Sequence, residues 1–189
     1  MIVKHLLPPN QPKQRIRYWC TDETRLGLKT ISGKVITLKG VKPVGMNQWG
    51  RENFYLYGAV EPLTGESFFL EFTHLDGVCF ERFVQEFAVA YPEDFHILQM
   101  DNGKFHDSQQ LQIPENVIFL FQPPHTPEVN PIERLWLEIK RGLRWECFSS
   151  LEELRAALRK QLGKLSNEIV ASVTGYEFII DALLVSCIS

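Results

Sequence analysis

The segment from Pro123 to Trp136 reads Pro-Pro-His-Thr-Pro-Glu-Val-Asn-Pro-Ile-Glu-Arg-Leu-Trp, and it constrains this chain more than any other stretch. Asn130 and Pro131 mark a helix start, because asparagine suits the capping position and proline the first helical position, where no backbone N–H is needed. Glu133 is thereby set in the first turn of a helix whose beginning is fixed. Ile132, Leu135, Trp136, Ile139 and Leu143 recur at helical spacing and give that helix one apolar face. A carboxylate held at fixed depth on a rigid element suits a metal ligand. Two further acids, Asp22 and Asp101, each follow an apolar, strand-like run.

Asp22, Asp101 and Glu133 together point to a magnesium site for phosphodiester chemistry. Magnesium prefers oxygen donors, with water and substrate phosphate completing its shell. A pair of ions about 3.5–4 Å apart stabilises both the attacking and the leaving oxygen of an in-line displacement. Clustered carboxylates repel one another and make more sense with a cation than without one. Each acid also has a plainer reading. Asp22 suits a turn at a strand end, Asp101-Asn102-Gly103 is a turn signal by itself, and Glu133 supports a helix start.

The 189 residues suit one domain with at most a small appendage, and 44% apolar content supports a real core. No apolar run approaches the ~20 residues that span a bilayer. Pro8, Pro9 and Pro12 interrupt the N-terminus too early for a signal peptide, so a cytoplasmic protein is expected. Cys20, Cys79, Cys147 and Cys187 are widely spaced and form no C-x-x-C pair, which argues against zinc or a disulfide framework. A net charge of −3 argues against a dedicated nucleic-acid-binding module. It leaves room for an enzyme that meets DNA on one local face.

Along the chain, residues 1–14 read as an N-terminal arm and 15–165 as the main domain, followed by a packed, helix-prone tail over 166–189. Strands are expected at 16–21, 33–38, 54–60, 67–72, 95–100 and 117–121, with a loop over 39–51. The fourth of these follows the third through a turn as a hairpin. Continuous apolar character predicts that 117–121 is buried on both faces. Asp76 caps a helix over 77–91, and Ser150 with Glu153 forms a capping box for another that ends near Gly163. The order implies an α/β fold with a mixed sheet covered by helices, and ligand sites beyond the carboxyl ends of its parallel strands.

Three blocks carry a resemblance. Cys20-Thr21-Asp22-Glu23-Thr24, Asp101-Asn102-Gly103-Lys104-Phe105-His106 and the Pro123–Trp136 segment resemble the acid blocks of DDE transposases of the mariner-like superfamily, in the bacterial insertion-sequence branch. Gly58 to Glu66 is similar to the hairpin of that branch. The resemblance runs from about Arg17 to Lys160. It implies a ribonuclease H-like mixed sheet flanked by helices, with Asp22, Asp101 and Glu133 as catalytic and metal-binding residues for two magnesium or manganese ions. Asn102, His106 and Asn130 match supporting positions. The implied reaction is metal-dependent DNA cleavage that frees a 3′-hydroxyl, then attack of that hydroxyl on target DNA. No covalent protein–DNA intermediate is needed.

Beside the third acid, Arg134, Lys140, Arg141 and Arg144 are candidates for phosphate contact, with a solvated helix face as the alternative. The partners implied are transposon-end and target DNA and further copies of the chain in the active complex. Only about 15 residues precede the first strand, so end recognition is expected from a separately encoded or frameshift-joined helix-turn-helix domain. The 31 residues between Asp101 and Glu133 are fewer than is common in the family and imply a shortened loop. Two other readings remain open: an inactive or truncated transposase that acts as assembly partner or inhibitor, and a nuclease of the same fold.

Overall fold

The structure is a computed structural model that describes residues 15–101, 111–123, 126 and 129–181. The strands are β1 (Ile16–Lys29), β2 (Trp49–Val60), β3 (Ser67–Phe72), β4 (Phe95–Met100) and β5 (Val117–Phe121). The helices are α1 (Gly77–Ala90), α2 (Ile132–Arg141), α3 (Leu151–Leu162) and α4 (Asn167–Thr174). The sheet order is β3-β2-β1-β4-β5. β1 pairs antiparallel with β2 and parallel with β4, and β4 pairs parallel with β5. This is the mixed, helix-flanked sheet expected of a ribonuclease H-like domain.

Alternation along the strands sorts the core into two halves. Cys20, Leu26, Phe54, Leu56 and Val60 face one way and pack against α2, α3 and α4 through Leu135, Trp136, Ile139, Leu154, Leu158 and Val170. Trp19, Tyr57, Ala59, Leu98 and Met100 face the other way and meet Phe80, Phe83, Val84 and Phe87 of α1. The caps follow the sequence: Asp76 accepts from the Cys79 N–H at 2.8 Å, and Ser150 from that of Glu153 at 3.2 Å. Tail residues of α4 belong to the same core, since Val170 is fully buried. Gly65, at φ +74°, turns the β2–β3 hairpin against the start of α4, where a side chain would strike the Asn167 carbonyl.

Five expectations need correction. β1 does not stop at residue 21, and the loop expected over 39–51 gives way to β2 at Trp49, because the two strands pair from Cys20↔Val60 to Lys29↔Trp49. Residues 33–38 form no strand. Past Lys29↔Trp49 and the bond from the Thr30 N–H to the Gln48 carbonyl the two strands part, and Ile31 bridges only to Arg144. With no sheet to join, Ile36, Leu38 and Val44 stand exposed. β5 is the sheet's edge rather than a strand buried on both faces, and Leu120 and Phe121 at its end are exposed. Finally, Asn130 does not cap α2. Pro131 occupies the N-cap position with no side-chain cap, and the Asn130 side chain goes elsewhere.

A buried ion cluster ties the sheet's lower end together. Arg17, 4% exposed, donates to Glu61 at 2.6 Å, pairs with Glu66 and reaches Asp94 at 3.4 Å. Its guanidinium lies over the rings of Trp19 and Tyr91. Removing one partner of a buried pair leaves an uncompensated charge, which costs about 3–5 kcal/mol. Arg17→Ala is therefore expected to lower unfolding free energy by about that amount in urea titrations, since Glu61 stays buried without its cation. A loss below about 1 kcal/mol would mean that the cluster is solvated like a surface pair.

Candidate active site

β1 outruns its parallel neighbour. Its pairing with β4 ends at Cys20↔Gln99. Carrying that register forward two places sets Asp22 level with Asp101, just past the carboxyl end of β4. Alternation assigns both to the sheet face of Cys20 and Gln99. Asp22 thus lies inside β1 rather than at its end, at the level where β4 gives out. Gln99 is held in the sheet by Tyr18, Gln122 and the Val129 carbonyl, so β4 is braced two residues before Asp101.

α2 is fastened to the same place. The Asn130 amide donates to the Thr21 carbonyl at 3.1 Å, and the Trp136 indole N–H donates to Asp22 Oδ2 at 2.9 Å. Glu133 lies midway between these two attachments. It is exposed, as is Asp101, while Asp22 is half-buried. The apolar face of α2 sits on the sheet through Ile132, Leu135, Trp136 and Ile139, so the helix cannot roll. Glu133 in its first turn, and Lys140 and Arg141 in its last, match the helix dipole.

The acids feel one another. Burial, then the charge of Glu133, push the Asp22 carboxyl up to about 7; Asp101 adds to the rise, while the Glu23 backbone N–H and the Trp136 indole oppose it. Glu23 is held well above the usual carboxylate range by burial and by the charges of Asp22 and Asp101. It was not among the sequence candidates, and its only signal was its place next to Asp22. Lys140 is half-buried; burial lowers its pKa, while Glu133 and Asp22 oppose that fall. Lys140 is thus a basic candidate whose charge registers with these acids.

Among the described residues, no three His, Cys, Asp or Glu side chains are gathered closely enough to coordinate an ion. The chemistry of the donors nonetheless fits a hard divalent cation. They are carboxylate oxygens only, and their mutual repulsion is what an added positive charge relieves. Asn102 and His106 lie outside the described residues. Arg134 sets its guanidinium 4.2 Å over the Tyr176 ring, and Arg141 pairs with Glu138 at 2.5 Å. Arg144 runs along Gly33, with its Nε buried and without a hydrogen-bond partner.

Beyond Asp22, where β1 has no parallel neighbour, a groove of about 700 Å³ opens. Arg25, Lys29, Arg51 and Lys140 line it against one acid, Glu52, with Trp49 at its wall. Trp49 is 72% exposed and carries the Lys29 ammonium 4.6 Å from its ring. Lys140 thus belongs both to the acid cluster and to this cationic groove.

The family and the fold are shared with known proteins. The chain belongs to the DDE superfamily endonuclease family, whose model matches residues 17–155. A relative in Sinorhizobium fredii (strain NBRC 101917 / NGR234), the uncharacterized protein y4pE/y4sA, is 30% identical over 83 residues, which cover 43% of this chain and 62% of that protein. Among solved structures, the Mos1 mariner paired-end complex with Mn is similar with TM-score 0.65 at 15% identity, covering 84% of this chain and 52% of that one. The Mos1 strand transfer complex matches with TM-score 0.65 at 14% identity, over 84% and 50%. A simian T-cell lymphotropic virus intasome in complex with the PP2A regulatory subunit B56 gamma matches with TM-score 0.54 at 15% identity, over 81% and 49%. The likeness to the solved structures shows a ribonuclease H-like fold, and this chain spans about half the length of those proteins. Among the described residues no helix is long and apolar enough to cross a membrane.

The raised Asp22 carboxyl makes a signed prediction for the ion-free protein. The folded state keeps its proton up to about pH 7, whereas the unfolded chain releases it near the ordinary value of about 4. Asp22 therefore costs stability progressively as pH rises through that window. Asp22→Asn removes this titration. In chelator, urea unfolding should find the variant matching the wild type near pH 4 and exceeding it above pH 7, and parallel curves would contradict the assignment.

Proposed function

We propose that this chain is the catalytic domain of a DDE transposase, cutting DNA at element ends and joining the freed 3′-hydroxyl to target DNA. The observation that supports this is the pair of hydrogen bonds that fastens α2 to β1 on either side of Glu133, from Asn130 to Thr21 and from Trp136 to Asp22, in a member of the DDE superfamily endonuclease family. Asp22, Asp101 and Glu133 are the residues assigned to hold magnesium or manganese, two ions in the full site. When bound, such ions supply a hydroxide-like nucleophile at neutral pH and charge stabilisation at the leaving oxygen.

The chain's own contributions follow from position. β1 and β4 hold Asp22 and Asp101 at one level, and α2 presents Glu133 across from them. Lys140 offers a cation at the inner end of the groove, suited to a phosphate oxygen. Arg25, Lys29 and Arg51 extend that potential outward and suit a polyanionic backbone leading to the acids. Trp49 offers an exposed ring on which a base or sugar can rest. The proposed partners are transposon-end and target DNA and further copies of this chain, with end recognition from a helix-turn-helix domain. The Mos1 complexes and the intasome, similar in fold, support this reading.

The test is nicking and joining of end-containing DNA. Asp101→Ala should lose roughly 10²–10³-fold in magnesium-dependent nicking, the several kcal/mol that such ions are worth. Equal cleavage by both proteins sinks the assignment. Cleavage without joining marks a nuclease of the same fold, and absence of both from the wild type on every end substrate marks a non-catalytic remnant. Lys29→Ala and Arg51→Ala should each make the salt dependence of DNA affinity shallower by about one unit of slope in log–log titrations. An unchanged slope would remove the groove from the DNA path.

A further inference from the structure

We propose that Trp136 is a positioning residue for the Asp22 carboxylate, and that Gly58 is glycine so that the indole can reach it. This rests on reading Asp22 as an ion ligand. Gly58 of β2 is the cross-strand partner of Asp22. A side chain there would meet Trp136 Cη2 at 2.5 Å and the Phe69 ring at 2.9 Å. The far edge of the indole therefore occupies the gap that Gly58 leaves in the sheet face. Phe69 flanks it, with ring centroids 5.9 Å apart.

From that seat the Trp136 N–H reaches Asp22 Oδ2 at 2.9 Å. Trp136 is only 2% exposed, so its donor meets the carboxylate away from bulk water. A donor held this rigidly fixes the carboxylate's rotation before any ion arrives. The same helix is pinned three residues before Glu133 by Asn130 on Thr21, and three residues after it by Trp136 on Asp22. The two bonds land on consecutive residues of β1, so the separation of Glu133 from Asp22 is set at both ends. An aromatic needed only for packing would ask for no N–H at this spot.

Partners that orient a ligand from behind typically contribute 10–100-fold in metal affinity or activity. The experiment compares the full-length wild type with Trp136→Phe, which keeps an aromatic ring and drops the N–H, and with Asp22→Asn. Mn²⁺ binding is read by calorimetry without DNA, alongside urea unfolding and nicking. The expected result is a folded Trp136→Phe protein that binds Mn²⁺ 10–100-fold more weakly, with nicking recovered at high Mn²⁺. Should Trp136→Phe fail to fold, site-specific replacement of Trp136 by 3-benzothienylalanine keeps the indole's shape without its N–H, and the same weakening is expected. Wild-type Mn²⁺ affinity in the N–H-less protein, with weakened binding in Asp22→Asn, overturns the positioning role and leaves the acid site standing. Wild-type affinity in Asp22→Asn as well overturns the ion-ligand reading and this inference with it.

Discussion

Burying carboxylates beside one another is the constraint that the rest of this structure has to withstand. Burial first, then the charges of Glu133 and Asp101, raise the Asp22 carboxyl to about 7, and burial with the charges of Asp22 and Asp101 raises Glu23. α2 stays against the sheet beside them. What holds it there is apolar packing of Ile132, Leu135, Trp136 and Ile139 on one face, together with hydrogen bonds from Asn130 and Trp136. Fully burying a side chain of that size is worth about 1.5–3 kcal/mol, so several together exceed any single like-charge repulsion near a surface.

The sheet topology makes the same accommodation. β1 is long because its antiparallel partner β2 matches it nearly end to end, while parallel β4 ends beside Cys20. That mismatch creates both features of the functional end. Asp101 leaves the sheet where Asp22 is still inside it, and the uncovered edge of β1 beyond Asp22 becomes the wall of a cationic groove. A shorter β1 would forfeit the groove, and a longer β4 would bury it.

Much of this was legible in the residues. The boundaries of β3, β4 and β5, the caps at Asp76 and Ser150, and the apolar face of α2 all follow from local spacing and short-range chemistry. What escaped is what depends on partners distant in sequence. The length of β1 is set by β2, the failure of 33–38 to form a strand by the absence of any neighbour to pair with, and the exposure of β5 by its place at the edge. Asn130 misleads for the same reason. Its type and position suit a cap, but a carbonyl 109 residues away in the chain claims its amide. Glu23 and Lys140 likewise declare themselves only once strand and helix are packed.

The chain contains a built-in comparison that bears on the missing charge. Glu61, Glu66 and Asp94 form another acidic group, and there the fold supplies Arg17, nearly fully buried and bonded to all three. At Asp22 and Glu23, burial and neighbouring carboxylates instead raise the pKa. Lys140 registers there electrostatically, but with its own charge disfavoured by burial. Where the first cluster is neutralised within the fold, the Asp22 and Glu23 carboxyls are pushed upward, which suits the cation site proposed there. On the proposed reading, relief of the Glu133 and Asp101 charges acting on Asp22 adds to the free energy of cation binding.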